Sequence, residues 1–161
     1  MKYFVKTLKT PVGELVLATT ESTVVAVLWD RSELARLGIS GWKQGETCHL
    51  LEEAEDQVRE YLSGHRADFD LPLEMQGTAF QKRVWAELRK IPRGRTWSYQ
   101  EVARRIGKPG ASRAVGGANG KNPICVIVPC HRVVREGGEL GGYTGGIDKK
   151  SFLLNLETTA R

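Results

Sequence analysis

The chain has little cysteine and histidine for its length. Three cysteines and three histidines occur among 161 residues, and no two cysteines form a CxxC pair. An odd and widely spaced set of cysteines cannot make a complete disulfide framework, and the histidines complete no known zinc pattern. The first cysteine is Cys48, so no N-terminal cysteine cluster is available to a metal. We therefore expect reduced thiols and no metal site.

Long apolar runs are missing as well. No stretch approaches the roughly 18 consecutive apolar residues that a membrane span requires. The N-terminal residues Met1–Lys6 lack the apolar core and the cleavage site of a secretory signal peptide. The apolar share of 40% and the charged share of 27% are those of an ordinary globular protein. We expect an intracellular protein with no membrane partner, cytoplasmic in a bacterium and nuclear in a eukaryote.

Charge is distributed unevenly along the chain. Residues 1–70 carry 8 basic against 12 acidic side chains, a net charge of −4, whereas residues 71–161 carry 16 against 7, a net charge of +9. Such asymmetry between halves predicts that the second half binds a polyanion. A basic surface can also serve solubility alone, so this observation needs support from motifs.

The first half has the pattern of a small α/β domain. Helical spacing of apolar residues predicts a helix over His49–Ser63, ended by Gly64. The segment Asp70–Gly77 then breaks the pattern at the point where the charge changes sign. We place the domain boundary there, with domains at 1–72 and 73–161. Three short apolar runs separated by turn residues predict strands before that helix: Tyr3–Val5, Leu15–Leu17 and Val24–Leu28.

The second half is predicted to be mostly helical. Apolar residues from Phe80 to Ile91 share one helix face, and Ser98 followed by Glu101 fits a capping box that opens a further short helix. A turn at 107–110 and a helical candidate at 111–120 follow. Helix, tight turn and helix are typical of a helix-turn-helix. The fold class is therefore α+β in two domains.

The second of those short helices has an unusual composition. Apart from Arg113, residues 111–120 are almost all small and include three glycines, although an interior glycine costs a helix roughly 1 kcal/mol relative to alanine. Small residues permit close approach of the backbone to another surface, and Arg113 would project beyond them. Tight packing on the protein's own core is the alternative. The basic domain and the helix-turn-helix pattern favour a surface that faces DNA.

A reactive thiol is predicted at Cys130. The apolar run Ile124–Val128 predicts a buried strand or extended segment that Pro129 ends, and Cys130 follows beside His131 and Arg132. Thiols react as thiolates, and a neighbouring base or cation populates that form. Adjacency in sequence does not by itself bring a cysteine and a histidine side chain into contact. Cys48 and Cys125 are interpreted as small buried apolar residues, which is the ordinary role of a free cysteine.

Six segments of the second half together form a recognisable set of motifs. They are Thr96–Ala103, Arg113–Ala118, Asn122–Pro123, Pro129–Val133, Gly141–Gly146 and Leu153–Glu157. With these segments the second half resembles one known family, the O6-alkylguanine-DNA alkyltransferases (methylated-DNA–protein-cysteine methyltransferases), and Pro129–Val133 resembles the active-site signature of that family. The resemblance covers residues 77–157 almost without gaps, whereas the first half matches only by strand pattern and length.

The resemblance implies a role for each matched residue. Cys130 would accept the alkyl group, His131 would deprotonate it through a bound water, and Glu157 would orient His131. Asn122 would brace the active-site turn, and Tyr99 would assist departure of the guanine and rotation of the nucleotide. Arg113 would fill the space left by the flipped base. The remaining implied contacts with DNA or the extruded base are Ser98, Gln100, Ala114, Gly117, Val133, Tyr143, Thr144 and Gly145.

The family also implies a fold and a reaction. The fold would be a ribonuclease H-like first domain followed by a winged-helix-like second domain. The reaction would be a single, irreversible transfer from O6-alkylguanine in duplex DNA, and more weakly from O4-alkylthymine, to Cys130. No cofactor or small-molecule methyl donor is needed because the alkyl group comes from DNA. We expect a monomer that could cluster along DNA.

Three other functions stay open from the residues alone. A lesion-flagging relative would bind without transfer, but Cys130 is present with His131 beside it. A sequence-specific regulator would need polar base-reading side chains, which the Ala- and Gly-rich helix does not supply. A cysteine hydrolase would need an oxyanion loop, and no segment resembles one. Some relatives carry proline where this chain has Cys125, so its effect on the alkyl pocket is a separate question.

Overall fold

A computed structural model of the protein describes residues 1–158. The chain divides into two compact units, one comprising Met1–Gln76 and the other beginning at Gly77. The predicted boundary at residue 72 falls slightly earlier. The segment that follows it stays with the first unit because Val24 N donates to Pro72 O at 2.8 Å and Glu74 N donates to Val24 O at 3.0 Å. The last three residues of the predicted second domain, 159–161, lie outside the described residues.

A three-stranded antiparallel sheet forms the centre of the first unit. The strands are β1 (Phe4–Thr10), β2 (Gly13–Thr19) and β3 (Val24–Leu28), in the order β1-β2-β3. The central strand β2 is buried on both faces from residue 15 to residue 19. Helices α1 (Glu33–Arg36) and α2 (His49–Leu62) follow β3 in the chain. One core cluster combines residues of the sheet with two that follow it, namely Val5, Val16, Ala18, Ala26, Leu28, Leu34 and Ile39.

The predictions for this unit are confirmed in type and extended in length. All three strands and α2 occur where apolar runs predicted them, but β1 continues to Thr10 because it pairs with β2 along its whole length, to the hairpin pair Thr10 and Gly13. The apolar run reveals only the buried part of such a strand. Helix α1 was not predicted, because a four-residue helix shows no recognisable period.

The second unit is built mainly from helices. They are α3 (Ala79–Leu88), α4 (Tyr99–Arg105), α5 (Ser112–Gly120) and α6 (Ile147–Thr158). A capping box between Thr78 and Gln81 opens α3. The indole Nε1 of Trp85 donates to the carbonyl of Ala118 at 2.8 Å, so α3 holds the C-terminal part of α5. The mixed α and β composition and the helical second unit confirm the predicted fold class.

The helix-turn-helix consists of α4 and α5. Ser98 caps α4 by accepting a hydrogen bond from Glu101 N at 3.0 Å. The Glu101 carboxylate does not complete the predicted capping box but pairs with Arg104 and Arg105 on the next turn of α4. One side of α5 is buried through Val115, and the opposite side is exposed.

A short parallel strand pair connects the helix-turn-helix to the segment after Cys130. Strand β4 (Trp97–Ser98) pairs with β5 (Val133–Val134), with Trp97 opposite Val133. The first turn of α4 therefore lies beside the residues that follow Cys130. Two-residue strands have no sequence signature, so this connection was not predicted. Among the helices within residues 1–158, none is both long and apolar enough to cross a membrane.

Candidate active site

The segment before Cys130 is a buried turn, and the predicted strand there is wrong. All five residues of Ile124–Val128 are buried, but Ile127 N donates to Cys125 O at 2.8 Å and Val128 N donates to Ile124 O at 3.0 Å. Val126 has a φ of 71°, a left-handed conformation that is rare for a β-branched residue. An apolar run indicates burial and cannot by itself distinguish extended from folded-back backbone.

Asn122 holds this turn together. Its Nδ2 donates to Val128 O at 2.8 Å, and its Oδ1 accepts from Ile124 N at 2.9 Å. The side chain is 2% exposed, so both bonds lie away from water. The amide thus connects the two ends of the turn, at Ile124 and Val128, and stabilises the strained conformation at Val126.

Cys130 begins the short 3₁₀ helix Cys130–Arg132 and is itself buried. A hydrogen bond from the Cys125 thiol is the largest influence that lowers the pKa of Cys130, and hydrogen bonds from Asn122 and Tyr143 act in the same direction. The positive charge of Lys150 also lowers this pKa, whereas burial opposes all of these effects. The net effect is a pKa below that of an ordinary cysteine, which increases the fraction of thiolate.

Behind Cys130 lies a buried group of ionisable side chains. His131 Nε2 and Glu157 Oε2 are 2.8 Å apart. Arg132 donates two hydrogen bonds to the same carboxylate, from Nε to Oε1 at 2.9 Å and from Nη2 to Oε2 at 2.7 Å. Its Nη1 donates to the carbonyl of Ile91 at 2.7 Å. Glu157 is thereby fixed in place, and these partners hold its pKa far below the usual glutamate value although burial opposes them.

The protonation of His131 follows from these partners. Burial lowers the pKa of His131, and although Glu157 acts to raise it, burial prevails. The ring is therefore neutral at neutral pH. Because a carboxylate can only accept, the ring proton is on Nε2 and the lone pair is on Nδ1. Nδ1 is buried and has no hydrogen-bond partner within residues 1–158, so no direct bond joins it to Cys130.

An exposed surface of small residues with one long basic side chain lies on α5. Arg113, Ala114 and Gly117 are exposed on this helix, and a Cβ added at Gly117 would meet no atom within 4 Å. Tyr99, at the start of α4, packs near Gly116. The absence of side chains there leaves the backbone of α5 open to close approach by a ligand.

Two cavities lie beside Tyr99. The larger, of about 630 Å³, is lined among others by Gln100 and Arg113. The smaller, of about 360 Å³, is lined among others by Asn119, Tyr143 and Thr144. Thr144 also donates to the carbonyl of Gly120 at 2.9 Å, which holds the loop 141–146 against the end of α5.

Val133 and Gly145, which the resemblance places around the extruded base, do not line these two cavities. Val133 is fully buried and paired with Trp97 in the β4–β5 sheet. Ser98 serves α4 as its N-cap. No group of three or more His, Cys, Asp or Glu that could hold a metal ion occurs among the residues that the structure describes.

Comparison with known proteins decides the family. Residues 79–159 match the DNA-binding domain model of 6-O-methylguanine DNA methyltransferase, and residues 3–75 match its ribonuclease-like domain model. The chain is 46% identical to a methylated-DNA–protein-cysteine methyltransferase of Mycobacterium tuberculosis over 94% of this chain and 90% of the relative. It is 39% identical to the constitutive enzyme of that name from Bacillus subtilis, over 98% and 96%. The chain belongs to the methylated-DNA–protein-cysteine methyltransferase family.

Solved structures agree with this assignment. The crystal structure of the M. tuberculosis O6-methylguanine methyltransferase matches with a TM-score of 0.85 and 43% identity, over 97% of this chain and 93% of that one. A structure of the M. tuberculosis protein in complex with DNA matches with the same TM-score and identity, over 98% and 93%. As a methyltransferase of this family, the protein repairs DNA by alkyl transfer to cysteine. The predicted family and the predicted transfer of an alkyl group to cysteine are confirmed, and the non-catalytic lesion-binding alternative is not supported.

Lys150 of this methyltransferase was not predicted from the sequence. Its ammonium donates to Val133 O at 2.6 Å and to Gly142 O at 3.1 Å, and burial lowers its pKa to about 8. The residue is fully buried. A lysine in a polar C-terminal helix ordinarily indicates solvent exposure, so only its position one helical turn before Leu154 on α6 could have suggested otherwise.

Asn119 was not predicted either, for a different reason. It lies in the Ala- and Gly-rich helix α5, whose composition points to Arg113 and to the small residues. Its Nδ2 donates to the carbonyl of Cys130 at 3.2 Å, and its side chain is 5% exposed. A polar residue on an otherwise small-residue helix is the signal that could have found it.

Proposed function

We propose that Cys130 is the acceptor in a single-turnover transfer of an alkyl group from the O6 atom of guanine in duplex DNA. One observation carries the proposal above the rest: the carbonyl of Cys130 is bonded by Asn119 of α5, the helix whose exposed face carries Arg113. The lowered pKa of Cys130 supplies the nucleophile at the same place. A reactive thiolate next to a DNA-facing helix is the arrangement that the reaction requires.

In the chemical step, the Cys130 thiolate attacks the alkyl carbon. A sulfur–carbon bond forms while the carbon–O6 bond breaks, and the electron pair of that bond passes to the guanine. The Tyr99 hydroxyl, whose pKa is raised mainly by burial and also by Cys130, keeps its proton and donates a hydrogen bond to the departing base. The product is a thioether, from which water does not regenerate the thiol.

His131 acts as the base that prepares the thiolate. Its Nδ1 carries the lone pair and has no direct partner within residues 1–158, so a water molecule between Nδ1 and the Cys130 sulfur relays the proton. Glu157 accepts from Nε2 and stabilises the imidazolium that forms. This is the order of nucleophile, base and orienting carboxylate that activates weak nucleophiles in other enzymes.

Access to O6 requires that the nucleotide leave the helix, because a stacked base cannot approach a buried thiol. Arg113 projects from the exposed, small-residue face of α5 and enters the duplex in place of the flipped base. Unstacking costs a few kcal/mol, which the inserted side chain and backbone contacts offset. The degenerate readout of the minor groove suits a protein that must find lesions in any sequence.

The test is a mass-spectrometric count of transferred groups. The protein is mixed with duplex DNA bearing one O6-methylguanine, and its peptides are mapped. We expect one methyl per molecule, on Cys130, and no further turnover. Cys130→Ser should abolish transfer while DNA binding persists, and the matched variant Cys48→Ser should leave transfer unchanged. A methyl group on Cys48 or Cys125, or continued transfer by Cys130→Ser, would remove Cys130 from the acceptor role.

We extend the proposal to substrate range and assembly. O4-alkylthymine presents a comparable alkoxy carbon and should react more slowly. Cys130, His131 and Glu157 all lie in the second unit of one chain, which supports action as a monomer. Sedimentation of the protein on a short duplex with room for one molecule should give a 1:1 complex, and longer duplexes will reveal any clustering.

A further inference from the structure

Asn119 holds a buried polar atom that the proposed reaction has not used. Its Nδ2 donates to Cys130 O at 3.2 Å, and because a carbonyl can only accept, this bond fixes which end of the amide faces Cys130. The other end, Oδ1, is buried and has no hydrogen-bond partner within residues 1–158. Leaving a buried acceptor unsatisfied is unfavourable, so Oδ1 calls for a donor.

The position of Asn119 identifies where such a donor would come from. The residue lines the cavity of about 360 Å³, whose other walls include Tyr99, Gly116, Tyr143 and Thr144. This size is in the range of small-ligand sites. Cys130 is 1% exposed and does not itself line this cavity. Asn119 connects the two, because it lines the cavity and also bonds the carbonyl of Cys130.

The pairing edge of O6-alkylguanine offers one hydrogen-bond donor, which suits the buried acceptor Asn119 Oδ1. Alkylation at O6 removes the N1 proton of guanine, so the pairing edge of the base then presents acceptors at O6 and N1 and a single donor, the 2-amino group. A carbonyl oxygen in the pocket wall can pair only with that group. Adenine carries no amino group at this position.

We propose that Asn119 is a specificity-determining residue whose Oδ1 accepts a hydrogen bond from the 2-amino group of the O6-alkylguanine in the cavity. This inference rests on the proposed transfer from O6-alkylguanine to Cys130. The amide then links the two reactants, because its Nδ2 holds the carbonyl of Cys130 while its Oδ1 holds the base.

The experiment removes the two partners of the proposed hydrogen bond in turn, the 2-amino group from the lesion and the acceptor from Asn119. Rates of methyl transfer to Cys130 are measured with two duplexes that differ only in the lesion, O6-methylguanine or O6-methylhypoxanthine, which lacks the 2-amino group. The protein is compared with Asn119→Ala, with Asn119→Leu, which fills the space without a polar atom, and with Asn119→Asp, which keeps an acceptor. Urea midpoints establish that each variant is folded. The difference in base pairing between the two lesions is common to all proteins and cancels.

The quantity of interest is the rate ratio between the two lesions. We expect the rate with O6-methylguanine divided by the rate with O6-methylhypoxanthine to fall about five- to tenfold in Asn119→Ala and Asn119→Leu. In Asn119→Asp this ratio should be kept, even if the variant is slower on both lesions. Equal slowing of both substrates in the alanine and leucine variants would overturn the inference and reduce Asn119 to a support for the Cys130 carbonyl. Loss of the ratio in Asn119→Asp would overturn it too. Failure of the unaltered protein to transfer from either duplex would instead contradict the proposed function.

Discussion

Besides the proposed base His131, neighbours from several parts of the second unit lower the pKa of the Cys130 thiol. Cys125 and Asn122 come from the preceding turn, Tyr143 from the glycine-rich loop and Lys150 from α6. Each lowers the pKa of Cys130 against the effect of burial. Activity at a given pH should therefore respond to substitutions at Cys125 and Lys150, which are not among the predicted contacts with DNA.

Cys125 gives the first test of this arrangement. Cys125→Ala removes the neighbour that most lowers the pKa of Cys130, so this pKa should rise and the transfer rate at pH 7 should fall roughly tenfold. Cys125→Ser restores a donor and should recover most of the rate. The measurement is the pH profile of methyl transfer in single-turnover conditions. Coincident profiles for the alanine and serine variants would show that packing, not the hydrogen bond, is what Cys125 supplies.

Lys150 gives a second test. Lys150→Met removes the charge near Cys130, so the rise of the transfer rate with pH should move to higher pH. In the unaltered protein the pKa of Lys150 is about 8, so its charge is present below that pH and is lost above it. The same substitution at the neighbouring Lys149 removes a charge from the same helix and serves as the control. Equal profiles for the two variants would contradict a specific role for Lys150.

Among the individual site residues, those that stand next to each other in a reactive motif could be predicted from the sequence. Cys130 and His131 stand together, and the requirements of thiolate chemistry make this pair conspicuous in the sequence alone. Asn122, Tyr99 and Glu157 were predicted only through the resemblance to the family. Lys150 and Asn119 were not predicted because their burial depends on which helix face is covered, and neither α5 nor α6 has a strong apolar period to reveal it. The stabilising partners of a site are set by packing, which a single sequence describes poorly.

Among the elements, α6 is secured to the active site mainly through Glu157. Its carboxylate accepts from His131 and from two nitrogens of Arg132, all of them buried. Replacing Glu157 leaves the Arg132 guanidinium buried without its counterion, which is typically destabilising by about 3–5 kcal/mol. The helix thus stabilises the fold with the same residue that orients the base.

The pH dependence of stability tests this linkage. The pKa of Glu157 in the folded protein lies below its ordinary value of 4.5, so its contribution is complete above that pH and is lost as the pH falls below it. Glu157→Gln should lower the free energy of unfolding by about 3 kcal/mol at pH 7 and by much less at pH 3. Urea unfolding followed across that range supplies both values. Parallel curves for the two proteins would mean that Glu157 is not the residue that acid titrates.

Helix α5 offers a test of nucleotide flipping. Arg113→Ala should slow transfer from duplex DNA by roughly ten- to a hundredfold, because a side chain that offsets unstacking is worth a few kcal/mol. Transfer from the free base O6-methylguanine, which needs no flipping, should be unchanged. Arg113→Lys keeps the charge and shows how much of the effect is phosphate attraction alone. Equal slowing on duplex and free base would place Arg113 in the chemical step instead.

The elements differ in how well the sequence predicted them. Helices α2 and α3 and the strands of the first unit have long or strongly apolar patterns and were predicted. The turn at Ile124–Val128 was predicted as a strand, because Asn122 and not the apolar residues determines its shape. Pairing of β4 with β5 joins residues 36 positions apart and leaves no local trace in the sequence.

For the whole molecule, the difference in charge between the two halves predicts how DNA binding responds to salt. The half from residue 71 carries a net charge of +9, so phosphate contacts should dominate affinity. With about four such contacts, affinity should fall roughly a hundredfold between about 50 and about 200 mM salt. Transfer from the free base involves no phosphate and should not vary. Salt-independent binding to the duplex would contradict an electrostatic origin.

The burial of Cys130 has a consequence for a protein that reacts only once. Each molecule that meets a stray electrophile or oxidant first is lost to repair, so the working supply depends on how long the thiolate survives unused. Enclosure at 1% exposure separates the Cys130 sulfur from reagents in bulk water, while in the proposed reaction the flipped base enters the protein to reach it. The same packing that opposes ionisation of the thiol thereby lengthens the time for which an unused molecule stays active.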